Sequence, residues 1–230
     1  MKPLISIVIP AYNEEKYILK TLQSLAAQDF RDYEVIVVAN GCTDDTEKVV
    51  QSQAAKVKLY SLPKANVSRA RNFGAGKAQG ELLFFLDADT QLDKGILEKA
   101  WARFKDGAYV VGSTKVIPDR ENWRFKVHTF LKSFYLTYGL YKGCSGALIC
   151  RREAFDRING YNPNLTVKEH RKLILLLLKE GKYTCVDGYV QTSMRRFEQK
   201  GLSRVLWFWT KQLWKDKFSS LEGSEYEKVR

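Results

Sequence analysis

Histidine and cysteine are scarce in this sequence of 230 residues, which contains two histidines and four cysteines. The cysteines are Cys42, Cys144, Cys150 and Cys185, and none belongs to a C-x-x-C pair. Because zinc sites combine closely spaced cysteines and histidines, this composition argues against one. We therefore predict four free thiols and a reducing compartment.

Long apolar stretches are also lacking. No stretch approaches the ~18 uncharged apolar residues of a membrane-spanning helix. The N-terminal segment MKPLISIVIPAYNEE contains no extended apolar region, so no signal peptide is predicted. The sequence therefore predicts one ordinary or elaborated domain in the cytoplasm, with at most peripheral contact with the inner membrane face.

Acidic residues are outnumbered, since 26 Asp and Glu stand against 38 Lys and Arg, for a formal charge of +12. A basic balance suits anionic partners such as nucleotides, phospholipid surfaces or nucleic acid. The basic residues are scattered and form no recognised nucleic-acid-binding motif, so nucleic acid is not an expected partner.

The first half of the chain alternates short apolar runs with helical patterns. Strands are predicted at residues 4–9, 33–39, 57–60 and 82–86, and helices at 67–78 and from Asn13 and Thr43 onward. This alternation predicts an α/β fold with a mostly parallel central sheet and flanking helices.

The second half follows a different pattern. Strands are predicted at 108–112 and 114–117, after the Gly-rich turn at 143, and as a pair within 183–193; helices are predicted at 122–141, 152–158 and 167–181. The helix at 122–141 is amphipathic, with an apolar stripe formed by Trp123, Val127, Phe130, Phe134, Tyr138 and Tyr141.

The chain is organised around ELLFFLDADTQ, residues 81–91. The apolar run predicts a buried strand, and Asp87 and Asp89 follow at its carboxyl end, where open α/β sheets bind ligands. Two carboxylates and the phosphates of a substrate are common ligands of Mg²⁺, so a metal-assisted phosphate site is expected. The alternative is a strand end followed by an acidic helix cap at Asp93.

Five motifs in order resemble those of the family 2 inverting glycosyltransferases with the GT-A fold. They are PAYNE at 10–14, ANGCTD at 39–44, ARNFG at 70–74, DAD at 87–89, and the segment from 143 to 161 with RREAF and NGY. The resemblance covers roughly residues 4 to 200, and the order of the motifs makes it specific.

The resemblance implies a nucleotide-diphospho-sugar donor and a divalent cation, Mg²⁺ or Mn²⁺. The matching donor-site residues are Pro10, Ala11, Tyr12, Glu14, Asn40, Arg71, Asp87, Ala88, Asp89, Arg195 and Arg196. Within this set, the first four line the nucleoside pocket. Arg195 and Arg196 follow the last predicted strand and either close over the diphosphate or form a solvated basic pair. Asp87, Asp89 and Gln91 are the expected metal ligands. Ala39-Asn40 replaces the usual acidic pair, so Asn40 is expected to contact the base through a neutral hydrogen bond.

The general base is the largest departure from the family pattern. Glu169 is followed by His170, where the family has the aspartate that serves as base. An imidazole with a pKa of about 6.5 can accept a proton at neutral pH, and so can Glu169 after a shift of one position. If neither serves, an acceptor phosphate, already ionised, needs no base.

The domain prediction is a single GT-A-like domain at 1–200, with a donor half at 1–115 and an acceptor half at 116–200. Residues 201–230 are predicted to form an amphipathic helix and tail. Its first apolar stripe is Leu202, Val205, Leu206, Trp209 and Leu213; the second is Trp207, Trp214 and Phe218, edged by Arg204, Lys211 and Lys215. This pattern suits a membrane surface, although a helix packed on two sides or a dimer contact would show it too.

The predicted activity is metal-dependent, inverting transfer of a sugar to a glycan or lipid-linked acceptor. A non-catalytic binding protein of the same fold is one alternative, because the base position is altered. A sugar-phosphate nucleotidyltransferase is a weaker one, because PAYNEE stands where that class has a Gly-rich basic loop.

Overall fold

The computed structural model describes residues 2–53, 57–165, 167–201, 203–205, 207, 208 and 210–212. The strands are β1 (Ile5–Ala11), β2 (Tyr33–Asn40), β3 (Val57–Leu62), β4 (Leu82–Leu86), β5 (Thr90–Leu92), β6 (Tyr109–Pro118), β7 (Ala147–Arg151) and β8 (Lys182–Thr192). The helices are α1 (Ile18–Ala26), α2 (Thr46–Gln51), α3 (Val67–Lys77), α4 (Ile96–Phe104), α5 (Trp123–Thr137), α6 (Arg152–Arg157), α7 (Glu169–Leu177) and α8 (Arg195–Lys200). None of the helices in these ranges is long and apolar enough to cross a membrane.

The strands form one sheet in the order β3-β2-β1-β4-β7-β6-β8-β5. Pairing is parallel for β1–β2, β1–β4, β2–β3 and β6–β8, and antiparallel for β4–β7, β6–β7 and β5–β8. The predicted α/β class is confirmed. The first four strands are parallel, as expected, whereas the sheet as a whole is mixed. β6 runs across the predicted boundary between the donor and acceptor halves, and that division stays a prediction.

Side chains from both faces of the sheet are buried. Ile5, Ile7 and Ile9 of β1 point into one core, and Val8 points into the other. All five residues of β4 are buried, because helices cover both faces of this central strand. The four cysteines are free thiols, as predicted.

The first two helices begin later than predicted. α1 begins at Ile18 and α2 at Thr46, although helices were expected from Asn13 and Thr43. Asn13 has a positive φ of 53°, and its Oδ1 accepts a hydrogen bond from the Thr43 amide at 2.8 Å. The loop after β1 and the loop after β2 are therefore hydrogen-bonded to each other, and Asn13 does not cap α1.

The strand predictions in the second half were wrong in two places. The two segments expected at 108–117 are one continuous strand, β6, and the pair expected within 183–193 is also one strand, β8. The Asp187-Gly188 dipeptide is a bulge where the register with β6 shifts, instead of a turn between two strands. Strand β5 had not been predicted. Helix α4 had been expected only in the alternative with a cap at Asp93, and its N-cap is Gly95.

Helix α5 packs through a different face than its sequence pattern indicates. It ends at Thr137, and its buried residues are Phe125, Thr129, Ser133 and Leu136. The Ser133 hydroxyl accepts from the Val116 amide at 2.9 Å and donates to the Val116 carbonyl at 3.0 Å, which ties this face to β6. Most of the predicted apolar stripe therefore lies outward, and Trp123 and Phe130 are each 69% exposed. Tyr141, the last residue of that stripe, lies beyond the helix and is half-buried.

Part of the predicted C-terminal helix falls within the described residues. Residues 203–205, 207, 208 and 210–212 are helical, with Val205 of the first stripe buried and Trp207 of the second 70% exposed. The other apolar positions of the prediction, namely Leu202, Leu206, Trp209, Leu213, Trp214 and Phe218, lie outside the described residues.

Candidate active site

The turn after β4 is held from three sides. The Asp87 amide donates to the Gly146 carbonyl at 2.8 Å, and the Thr90 amide donates to the Asp87 carbonyl at 3.1 Å. From α1, the Thr21 hydroxyl donates to the carbonyl of Ala88 at 2.8 Å. These bonds fix both carboxylates of the D-A-D segment at the carboxyl end of the sheet's central strand.

Arg71 lies on α3 and joins the first of these carboxylates to α7. Its Nη1 donates to Glu169 Oε1 at 2.8 Å, and its Nη2 donates to Asp87 Oδ1 at 2.9 Å. Its guanidinium also lies 5.4 Å from the centre of the Tyr161 ring. Burial lowers the pKa of Arg71, but neighbouring Tyr161, Asp87 and Glu169 raise it by more, so the arginine stays charged.

The two candidate bases have different surroundings. Glu169 is buried, with Oε1 bound by Arg71 and Oε2 without a hydrogen-bond partner among the described residues. Burial raises the pKa of Glu169, and Arg71 opposes that rise only in part. Half-buried His170 has Nδ1 2.9 Å from Tyr161 Oη. Burial and the charges of Arg71 and Lys132 lower the pKa of His170 well below 6.5, so its imidazole is neutral at pH 7.

Arg195, the first residue of α8, connects Asp89, the second carboxylate of the D-A-D turn, to Glu14. Its Nη1 and Nη2 donate to Glu14 at 2.8 and 2.7 Å, and Nη2 lies 2.9 Å from Asp89 Oδ2. The guanidinium also lies 4.5 Å from the centre of the Tyr17 ring. Burial lowers the pKa of Arg195, whereas Glu14 and Asp89 raise it by more. Arg196 follows on α8 and is half-buried.

The predicted nucleoside residues lie at the adjoining strand ends. Pro10 and Ala11 end β1, followed by half-buried Tyr12, and Asn40 ends β2. Asn40 Oδ1 accepts from the Asn66 amide at 2.8 Å. Since its oxygen serves the loop before α3, Asn40 has its amide N–H groups left to offer a ligand.

The donor set at the turn fits a hard divalent cation bound together with a diphosphate. Asp87 contacts Arg71 through Oδ1, and its side chain is 38% exposed, so its second oxygen faces outward. Within the described residues, no group of three or more His, Cys, Asp or Glu is arranged around a metal site. The cation would therefore take its remaining oxygens from substrate and water, as Mg²⁺ commonly does. Gln91 Nε2 approaches Gln191 Oε1 at 3.5 Å on the neighbouring strand.

Sequence reasoning missed three site residues. Lys132 on α5 lies close enough to Asp87 and Cys144 for electrostatic coupling; burial lowers its pKa, and those two groups partly oppose the shift. The ring of Tyr161 lies beside Arg71, and the ring of Tyr17 lies beside Arg195. Of the three residues, only Tyr161 belongs to a motif identified in the sequence, N-G-Y.

Two thirds of the chain, residues 6–159, match the family model described as Glycosyl transferase family 2. One relative is the Staphylococcus aureus poly(ribitol-phosphate) beta-N-acetylglucosaminyltransferase TarS, 36% identical over 103 residues, or 42% of this chain and 18% of TarS. Another is the Campylobacter jejuni GalNAc(5)-diNAcBac-PP-undecaprenol beta-1,3-glucosyltransferase, 32% identical over 48% of this chain and 38% of the relative. The matches thus span less than half of each relative.

Solved structures resemble this chain over most of its length. S. aureus TarS 1–349 in complex with UDP-GlcNAc superposes with a TM-score of 0.68 at 22% identity, over 84% of this chain and 58% of the other. The Pyrobaculum calidifontis mannosyltransferase PcManGT, in complex with GDP-Man and Mn²⁺, gives a TM-score of 0.68 at 18% identity, over 92% and 65%. At these identities the likeness establishes the fold, which is that of GT-A glycosyltransferases.

Proposed function

The chain belongs to glycosyl transferase family 2, and from that premise we propose that it is a metal-dependent inverting glycosyltransferase. The donor is a nucleotide-diphospho-sugar, and the cation is Mg²⁺ or Mn²⁺. Both ligands have counterparts among the structural neighbours, one of which is a complex with UDP-GlcNAc and another a complex with GDP-Man and Mn²⁺.

One observation carries the proposal: each carboxylate of the D-A-D turn is bound to a guanidinium that is bound in turn to a second carboxylate. Asp87 is joined through Arg71 to Glu169, and Asp89 is joined through Arg195 to Glu14. This arrangement places two cations beside the carboxylates at the edge of the sheet. A leaving nucleoside diphosphate gains negative charge, and fixed cations in a partly buried site stabilise that charge.

Asp87 and Asp89 would hold the metal ion, with Gln91 as a third candidate ligand. Bound there, the ion would supply Lewis-acid stabilisation of the diphosphate. Arg195, beside Asp89, would orient the same phosphates through hydrogen bonds, whereas buried Arg71, bound to Asp87 and Glu169, would stabilise them through its charge. Pro10, Ala11, Tyr12 and Asn40 would form the nucleoside side, and Arg196 would extend the basic edge.

We assign the role of general base to Glu169. Burial makes its carboxylate more basic than an exposed one, and Oε2 has no hydrogen-bond partner within the described residues. His170 is a poorer candidate, because the charges of Arg71 and Lys132 oppose its protonation. Removal of a general base costs typically 10²–10⁴-fold in rate, so Glu169→Gln should lose at least ~10²-fold in kcat and His170→Gln far less. The reverse order would return the role to His170.

The proposed acceptor is a glycan or a lipid-linked glycan. By their names, the TarS relative acts on poly(ribitol-phosphate), and the Campylobacter relative acts on an undecaprenol-diphosphate-linked glycan. Both acceptors carry phosphate groups, for which Lys132 near Asp87 would be a suitable partner. The free thiols are in keeping with a cytoplasmic location, with peripheral contact at the inner membrane face.

A thermal-shift panel tests the donor site. UDP-, GDP- and dTDP-sugars are added with and without Mn²⁺ to the wild type, Asp89→Asn and Asp93→Asn. Asp93 is an exposed aspartate directly after β5 and serves as the matched control. A hundredfold excess of ligand over Kd adds ~2.7 kcal/mol to the free energy of unfolding. A metal-dependent shift with one nucleotide, lost only in Asp89→Asn, is expected. No shift with any donor would favour a non-catalytic protein of this fold.

A further inference from the structure

Helix α5 and the turn after it carry an exposed apolar surface. Eight large apolar side chains there are between 46% and 69% exposed, and we name them the α5 surface: Trp123, Val127, Phe130, Leu131, Phe134, Tyr135, Tyr138 and Leu140. A surface helix normally buries such a stripe in the core. Contiguous exposed apolar patches on globular proteins commonly mark interaction sites.

The α5 surface cannot turn inward, because the opposite face of the helix is tied down. The Ser133 hydroxyl makes two hydrogen bonds to Val116, and the Phe125 ring lies 6.0 Å from that of Phe197 on α8. The Asn122 side chain accepts from the Arg124 amide and so fixes the start of the helix. The outward orientation of the aromatic stripe is therefore a property of the packed fold.

Basic side chains border this surface. Arg124 and Lys126 are exposed on α5, where Lys126 also pairs with Glu121, and Lys142 follows the helix. Between Glu121 and Glu153 the chain has no acidic residue. On the helix itself, Arg124 stacks near the Trp123 ring at 5.7 Å. Tryptophan, tyrosine and basic side chains beside exposed aliphatic ones are the composition of helices that lie in a membrane interface.

We propose that the α5 surface docks onto a bilayer that contains anionic phospholipids. A helix of 15 residues is about 22 Å long, too short to span ~30 Å of hydrocarbon, so it would lie parallel to the membrane plane. Anionic headgroups would bind the basic residues at its edge. A second copy of the chain fits less well, because a two-fold contact would set this basic segment against itself.

The position of α5 also connects membrane docking to the candidate active site, and this step rests on the proposed function. Lys132 belongs to the same helix and lies close enough to Asp87 of the candidate active site for electrostatic coupling. Docking through the outer face of α5 would therefore hold the site beside the membrane, where a lipid-linked acceptor presents its phosphate and sugar.

Vesicle co-sedimentation tests the proposal on the full chain. Phosphatidylcholine vesicles and vesicles with one quarter phosphatidylglycerol are mixed with the wild type, with Phe130→Ser/Phe134→Ser/Tyr138→Ser, and with Leu175→Ser/Leu176→Ser. The last variant removes exposed leucines of α7 and is the matched control. We expect salt-sensitive binding of the wild type and the control to anionic vesicles, and at least tenfold weaker binding of the α5 variant.

Two outcomes would overturn the proposal: no vesicle binding by the wild type, or equal binding by the wild type and the α5 variant. The second outcome would place any membrane contact elsewhere, such as in residues 201–230. Vesicle-independent dimers of the wild type that are lost in the α5 variant would assign the surface to a second copy instead. The nucleotide thermal shift is measured on the same proteins, so failure of the donor site and failure of membrane docking remain separate results.

Discussion

Arg195 donates two hydrogen bonds to Glu14, at 2.8 and 2.7 Å, although 181 positions separate the two residues in the chain. The pair joins the loop after the first strand to the helix that follows the last strand. Glu14 is buried, and Arg195 also contacts Asp89, so this one guanidinium connects both ends of the domain to the D-A-D turn.

Replacing Arg195 with lysine should weaken both the fold and donor binding. An ammonium group cannot reproduce the bidentate geometry, so we expect a loss of about 1–3 kcal/mol in the free energy of unfolding. Urea titration measures this loss, and isothermal titration with the nucleotide measures affinity. Arg120→Lys is the control, because exposed Arg120 pairs with Asp119 and Glu198 at the surface. Equal losses in both variants would contradict a special role for Arg195.

Removing Arg71 should leave Glu169 charged and buried without its cation. We expect Arg71→Met to cost about 3–5 kcal/mol at pH 7, the usual result of breaking a buried ion pair from one side. The cost should shrink at pH 5, where Glu169, with its raised pKa, takes up a proton more readily. The double variant Arg71→Met/Glu169→Gln should recover much of the loss at pH 7. Strictly additive effects would show that the two residues are not coupled.

Lys132 should contribute to catalysis through its charge near Asp87. Within the described residues it forms no ion pair, and its distance from the turn allows electrostatic coupling. Lys132→Met should lower kcat/KM at least ~tenfold, which corresponds to about 1.4 kcal/mol of transition-state stabilisation. The control is Lys142→Met, whose ammonium group lies 4.9 Å over the Tyr183 ring. A similar drop in both variants would indicate a general effect of charge.

His170 should make the free energy of unfolding depend on pH below about 6.5, the usual pKa of a histidine. Burial, Arg71 and Lys132 keep the folded imidazole neutral, whereas the unfolded chain takes up a proton near pH 6.5. The free energy of unfolding therefore falls as the pH drops from 6.5 toward the folded pKa, by up to ~1.4 kcal/mol per unit. His170→Gln should remove this share of the slope in urea titrations at pH 7.5, 6.5 and 5.5. The pKa of His128 is also lowered, so His128 contributes separately to the pH dependence, and His128→Gln measures that contribution.

Gly146 should be required for the geometry of the D-A-D turn. Its φ is +73°, and an added Cβ would lie 2.5 Å from the Thr90 hydroxyl oxygen. Gly146→Ala should cost about 2–4 kcal/mol through overpacking and backbone strain, and it should weaken nucleotide binding. Gly76→Ala in α3 is the control: nothing lies within 4 Å of the added atom, so a gain of about 0.5–1 kcal/mol is expected. The prediction is checked by measuring the unfolding midpoints of both variants with and without the nucleotide.

The sequence by itself determined the α/β class, the parallel first four strands and the position of the D-A-D turn. Each depends on local pattern: a run such as Leu82 to Leu86 has one physical solution, a strand covered on both faces. The order of the motifs was sufficient to indicate the family, and three of them, PAYNE, ANGCTD and DAD, stand at strand ends.

Tertiary structure decided what local pattern could not. Whether Glu169 or His170 is bound by Arg71 depends on how α3 and α7 meet on one face of the sheet; Arg71 and Glu169 are 98 positions apart in sequence. The role of Lys132 and the exposure of the α5 aromatic residues depend on which face of that helix bonds to β6. The sequence showed only the larger apolar stripe. The folded chain placed the smaller face inward, where the Ser133 hydroxyl bonds to Val116 of β6 and the Thr129 hydroxyl is satisfied by the Phe125 carbonyl of its own helix.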